Sequence, residues 1–175
     1  MTERPIDQQA SASEFYAALG FDVSFFPSIW HTYKVGHLLI ADLDRICQEY
    51  DLSMADVHLM GALRLDPDAQ LRATDLARTL HVSNAVLSTR IAKLEAKGLI
   101  VRAASPDDRR AYRLSLTPNG IAALDMAISA VRQRAQFVRS YARLSKEDRA
   151  ALSRIMGELH NDLDREFVPT VRGDI

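Results

Sequence analysis

The side chains able to do chemistry in this chain of 175 residues are unevenly spread. From Arg72 to Arg113 nine arginines and lysines stand against four acids, a local charge of +5, while the remainder carries −6. Cations concentrated in one segment of an otherwise acidic chain are the footprint of a polyanion partner; the competing explanation is a cluster of solvated charges. The densest part is the stretch SPDDRR at residues 105–110, with two acids and two arginines side by side. Other chemistries find no support in the sequence. His31, His37, His58, His81 and His160 fall into no metal motif such as H-E-x-x-H, so no metal site and no cofactor is expected. No G-x-S-x-G, phosphate loop or dinucleotide fingerprint occurs, so the chain is not expected to be an enzyme. Cys47 is the single cysteine, which excludes an internal disulfide and a cysteine-based zinc finger.

These charges need elements to hold them. Residues 1–12 are polar and SEFYAALGF, at 13–21, forms a short helix, after which Gly20, Asp22 and Pro27 interrupt the chain. Apolar residues three and four apart predict a helix over 28–50. Ser53 and Asp56 make a capping-box pair that starts a helix running to Leu65, ended by Asp66-Pro67. Two short helices follow, over 73–80 and 84–97. They are joined by HVS, with Ser83 as cap of the second, Gly98 at its C′ position and Leu99 packing back. A turn this short between two helices predicts a helix-turn-helix.

After Gly98 the apolar period changes from 3.6 to 2. Leu99, Val101 and Ala103 share one strand face, and Tyr112, Leu114 and Leu116 share another. The SPDDRR stretch is then the tip of a β-hairpin. Thr117-Pro118 is N-cap and first residue of a helix over 118–143. Ser145 caps a last helix to Phe167, with a near-heptad stripe of Leu152, Ile155, Met156, Leu159, Leu163 and Phe167. The fold class is mainly α with a small β-hairpin wing: a winged helix-turn-helix plus a helical dimerisation region. The boundaries are 1–27 for an N-terminal extension, 28–52 and 118–167 for dimerisation, 53–117 for the DNA-binding lobe and 168–175 for a tail. No apolar run approaches a membrane span, and MTERPIDQQASASE lacks the apolar region of a secretory signal, so a cytoplasmic protein away from membranes is expected.

In that arrangement the second helix enters the major groove and the hairpin reaches an adjacent minor groove. Leu87, Ile91 and Leu94 mark the buried side of the 84–97 helix. The opposite side and the first turn then offer Asn84, Val86 and Thr89 to base edges, and Ser83 and Lys93 to phosphates. Val86 suits a thymine methyl and Asn84 an adenine edge.

The stretch ATDLARTLHVSNAVLSTRIAKLEAKGLIVRAASPDDRRAYRLSLTPNG resembles the DNA-binding core of the MarR family of bacterial transcription regulators. LEAKGLIVR and DDRRAYRLSLTPNG, at this spacing, carry most of that resemblance, which covers residues 28–167. It implies a homodimer interlocked through the first and last helices, and a double-stranded operator read as a pseudopalindrome with half-sites about 10 bp apart. It implies that Arg110 enters the minor groove and Asp108 orients it. An arginine suits that narrow, negative groove, and a carboxylate can fix its planar fork. Arg109 and Arg113 are expected at phosphates. The function expected is a ligand-responsive repressor. The alternative is a helical dimer that serves as a protein scaffold without specific DNA binding.

The family's effector pocket lies between the dimer helices and the lobe. Asp56, Arg64 and Arg90 match an Asp-Arg-Arg set of the urate-sensing branch, which points to urate or another purine. Trp30 and His31, with Tyr33 and Lys34, point instead to an aromatic acid or its coenzyme A thioester. Dimer packing competes for these aromatic residues, helix capping for Asp56, the helix dipole for Arg64, and pairing with an acid or a phosphate for Arg90. A peroxide-sensing branch uses a cysteine early in its first helix. Cys47 lies near the end of that helix and does not match.

Overall fold

The structure is a computed structural model that describes residues 12–65, 73–104 and 112–167. It divides into two compact units, residues 1–42 and 43–175. In the first, α1 (Ala12–Ala18) is followed by the N-terminal part of α2 (Phe26–Cys47). Pro27, expected as a breaker, lies in the first turn of α2, where the missing N–H has no intrahelical partner to lose. Trp30, Tyr33 and His37 form a stacked ladder along α2, with centroids 6.0 and 6.4 Å apart, and Lys34 lies 5.1 Å over the Trp30 ring.

The second unit holds the end of α2 and a short 3-10 turn (Gln48–Tyr50). It continues through α3 (Met54–Leu65), α4 (Ala73–Thr79), α5 (Asn84–Ala96), β1 (Ile100–Ala104), β2 (Tyr112–Leu116), α6 (Pro118–Arg134), α7 (Gln136–Tyr141) and α8 (Lys146–Phe167). Its core joins Leu59, Met60 and Leu63 of α3, Leu76 and Leu80 at α4, Leu87, Ile91 and Leu94 of α5, Ile100 of β1 and Leu124 of α6. The three α5 residues expected on the buried side are 1% exposed or less.

Polar side chains cap the starts of α3, α5, α6 and α8. The hydroxyl oxygens of Ser53, Ser83, Thr117 and Ser145 accept the backbone N–H groups of Asp56, Val86, Gly120 and Asp148 at 3.0–3.2 Å. The ends share a motif. Asp51, His81 and Gly98 adopt left-handed backbone with φ of 56°, 52° and 67°. Around each, a six-to-one and a five-to-two bond close the preceding helical turn, as from Val82 to Ala77 and His81 to Arg78.

β1 and β2 pair antiparallel, with Ile100 opposite Leu116 and Arg102 opposite Leu114. Leu114 and Leu116 pack on the core as expected. On β1 the inward residue is Ile100, while Val101 and Ala103 share the exposed face; Leu99, expected with them, precedes the strand and packs on the core. The single helix expected over 118–143 is two. Ala135 takes an extended backbone with ψ of 130° and separates α6 from α7. In one continuous helix Ala130 and Ala135 would lie about 140° apart. The break brings both into one cluster with Ile46 and makes Ala135 fully buried. Among the described residues no helix is long and apolar enough to cross a membrane.

Candidate DNA-reading face and effector cleft

The site is built on α5. Its buried Leu87, Ile91 and Leu94 fix the helix on the core, so the other faces are held outward. Asn84, Val86 and Thr89 are exposed there, Val86 at 46%. Ser83 caps the helix, and the Thr89 hydroxyl donates to the Ala85 carbonyl at 3.0 Å. Arg113 lies on β2, half-buried, and its buried Nε has no hydrogen-bond partner among the described residues. Asp108, Arg109 and Arg110 lie outside the described residues.

Lys93, expected at a phosphate, donates instead to Oδ2 of Asp56 at 3.0 Å. Asp56 is only 1% exposed and comes from the first turn of α3. Its Oδ2 also accepts the Ser53 N–H at 2.9 Å, completing the capping box, and Arg90 Nε lies 3.9 Å from Oδ1. Burial works to raise the pKa of Asp56. The Ser53 N–H, the Lys93 ammonium and the Ser53 hydroxyl outweigh it, holding the carboxyl below the usual carboxylate range. A carboxylate this buried thus ties α3 to the helix expected to read DNA.

Beside this pair lies a cleft of about 440 Å³ lined by Ser53, Asp56, Ala85, Val86, Thr89, Arg90 and Lys93. Asp56 and Arg90 therefore meet, as the Asp-Arg-Arg reading requires. Arg64 does not join them: it is exposed near the other end of α3 and does not line the cleft. The physical reason is helix rise, since eight residues of α3 span about 12 Å. Trp30 and His31 belong to the first unit, Trp30 half-buried and His31 exposed. Ser53 and Ala85 line the cleft without having been expected there; the capping pair around Ser53 was the only local sign. Cys47 is fully buried, and burial first, then Asp44 and Asp56, pushes its thiol up, away from the reactive thiolate.

Two helices joined by a short turn and followed by a two-stranded wing make a winged helix-turn-helix, and the sequence model of the MarR family matches residues 50–111, from the last residue of the 3-10 turn to the residue before β2. The lobe has the winged helix-turn-helix fold of MarR-family structures, and the family model matches about a third of the chain. The chain is 37% identical over 102 residues to a Thauera aromatica protein named as a transcriptional regulatory protein for the hcr operon. That match covers 58% of this chain and 60% of the relative, less than two thirds of its length. Among solved structures, the transcriptional repressor CouR bound to a 23-mer DNA duplex is 25% identical, with a TM-score of 0.67 over 80% of this chain and 98% of that one. A MarR-family protein of Mycobacterium tuberculosis in complex with salicylic acid is 26% identical, with a TM-score of 0.58 over 74% of this chain and 93% of that one. In this lobe α5 is the second helix of the helix-turn-helix and β1–β2 the wing.

Proposed function

We propose that this chain is a transcription regulator that binds double-stranded DNA as a homodimer and represses until a small aromatic acid displaces it. The observation that carries the reading is the exposed Asn84–Val86–Thr89 face of α5, set beside a two-stranded wing in a MarR-type lobe. Asn84, Val86 and Thr89 read base edges, Ser83 and Arg113 meet the backbone, and the wing tip with Asp108, Arg109 and Arg110 reaches the minor groove. The homodimer is supported by α8, where Ile155, Met156, Leu159 and Leu163 stay 43–56% exposed in a single chain. Such a stripe needs a partner.

For the effector, the cleft offers two cations, Arg90 and Lys93, against one carboxylate, with Ala85 and Val86 as apolar wall. One surplus positive charge and about 440 Å³ suit a one- or two-ring organic anion. That supports an aromatic acid, with a purine anion such as urate as the second candidate; a coenzyme A thioester exceeds the space. The salicylate-bound relative supports the same class. Val86, Thr89 and Lys93 line the cleft and also belong to the DNA-facing side, so effector and duplex compete for the same atoms.

Selection of duplexes from a random pool, followed by anisotropy titrations, tests the reading. Binding should weaken steeply with salt. An absence of duplex binding at low salt would leave the scaffold alternative. Adding salicylate or urate should raise the apparent Kd without a plateau; a plateau would mean a separate, allosteric site.

A further inference from the structure

At the turn between α4 and α5, the fold gathers three side chains that no sequence motif groups. His81 Nε2 lies 3.2 Å from Asp164 Oδ1, and His160 Nε2 lies 3.3 Å from Asp164 Oδ2. One ligand-type atom from each residue falls within 4.8 Å of the other two. His160 and Asp164 are four apart on α8 and so share a face. His81 arrives from the turn between α4 and α5.

The backbone at His81 is the second observation. It sits at the left-handed C′ position after α4, with φ of 52°, the place Gly98 occupies after α5. Glycine is the usual residue there, and a side chain at such a φ costs about 1–2 kcal/mol. From this left-handed turn His81 directs its ring at an imidazole–carboxylate pair on another element.

We propose that His81, His160 and Asp164 bind a divalent transition-metal ion of the zinc class and thereby clasp α8 to the helix-turn-helix turn. Two imidazoles and one carboxylate are a zinc donor set, with a fourth position left for water. Metal–ligand bonds of about 2.0–2.1 Å in a tetrahedron put neighbouring ligand atoms about 3.3–3.4 Å apart. The separations of 3.2 and 3.3 Å are close to that edge, with His81 Nε2 meeting Oδ1 and His160 Nε2 meeting Oδ2 of the same carboxylate. Calcium and magnesium, which take oxygen ligands, are disfavoured by the two nitrogens. All three side chains are 42–68% exposed, so an ion reaches them directly from solvent. The site is independent of whether the lobe binds DNA.

The test is calorimetric titration of zinc chloride into the metal-stripped full-length protein, with His81→Gly and His160→Ala alongside. Glycine at 81 removes the ligand but suits the turn, so the metal-free variant should melt no lower than the wild type. We expect one ion per chain at this site and a zinc-induced rise in Tm. Both should be lost or weakened at least about tenfold in each variant. Absence of saturable zinc binding in the wild type overturns the proposal. So does affinity that either variant leaves within less than tenfold of the wild type, which would leave the trio as a hydrogen-bonded cluster only.

Discussion

Replacing Asp56 with Asn tests the buried ion pair that joins α3 to α5. The change keeps size and shape, and an amide oxygen can still accept the Ser53 N–H now held at 2.9 Å. It removes the charge that receives Lys93 at 3.0 Å and faces Arg90 at 3.9 Å. A hydrogen bond to a charged group contributes about 1.5–3 kcal/mol when fully desolvated. Lys93 is half exposed and can turn to water, which discounts its share, whereas Arg90 is 19% exposed and keeps an uncompensated charge. The net loss at pH 7 should be about 2 kcal/mol, or about 4–8 °C in Tm at fixed protein concentration. The pH dependence has a definite sign. The folded carboxyl titrates below its unfolded value, so its stabilisation is present above about pH 4–5 and disappears as pH falls through the folded value. Melting curves of the two proteins should therefore be separated at pH 7 and converge below about pH 4. Equal Tm at pH 7, or a gap that persists unchanged into acid, would refute the reasoning.

Other perturbations probe the remaining parts of the molecule. Arg110→Ala at the wing tip should weaken operator binding at least about tenfold in anisotropy titrations at physiological salt, with Tm nearly unchanged. Gly120→Ala should destabilise by about 3 kcal/mol in thermal or urea unfolding, because a Cβ at Gly120 would sit 1.9 Å from the Leu99 carbonyl oxygen, a backbone atom that cannot swing away. Leu159→Asp, at a position 50% exposed in the single chain, should convert the dimer to monomer by light scattering while far-ultraviolet circular dichroism stays helical.

What the sequence made legible was what local chemistry decides. The starts of α3, α5, α6 and α8 followed from a hydroxyl three residues ahead of a free N–H, and Ser53, Ser83, Thr117 and Ser145 all make that bond. The buried side of α5 followed from angular spacing alone. The break at Ala135 was invisible because alanine favours helix; the cause is packing on Ile46, far away in the chain. Nothing in the sequence around Gly120 pointed to its role, which is to let the first turn of α6 lie against the Leu99 carbonyl, where Thr117 also donates its N–H at 3.0 Å. The partner of Lys93 lay 37 residues away, and His81 meets Asp164 across most of the second unit. Spacing could not reveal either pair, since neither lies on one element.

The charge count illustrates the same limit and alters its meaning. Nine cations between Arg72 and Arg113 suggested a phosphate-binding surface. In the folded lobe Lys93 and Arg90 face Asp56, Lys97 pairs with Asp51, and Arg102 pairs with Glu95 at 2.8 Å. Asp51 and Asp56 lie upstream of the counted segment, so a window on the sequence saw the cations without two of their anions. Four of the nine thus serve to hold α5 against α3, the 3-10 turn and β1. Those pairs fix the orientation of α5 and with it the direction in which Asn84, Val86 and Thr89 face. On the proposed function, sequence discrimination depends less on bulk charge than on how rigidly these pairs hold α5. An anion entering the cleft would disturb that hold, because it draws on Arg90 and Lys93, the cations that face Asp56.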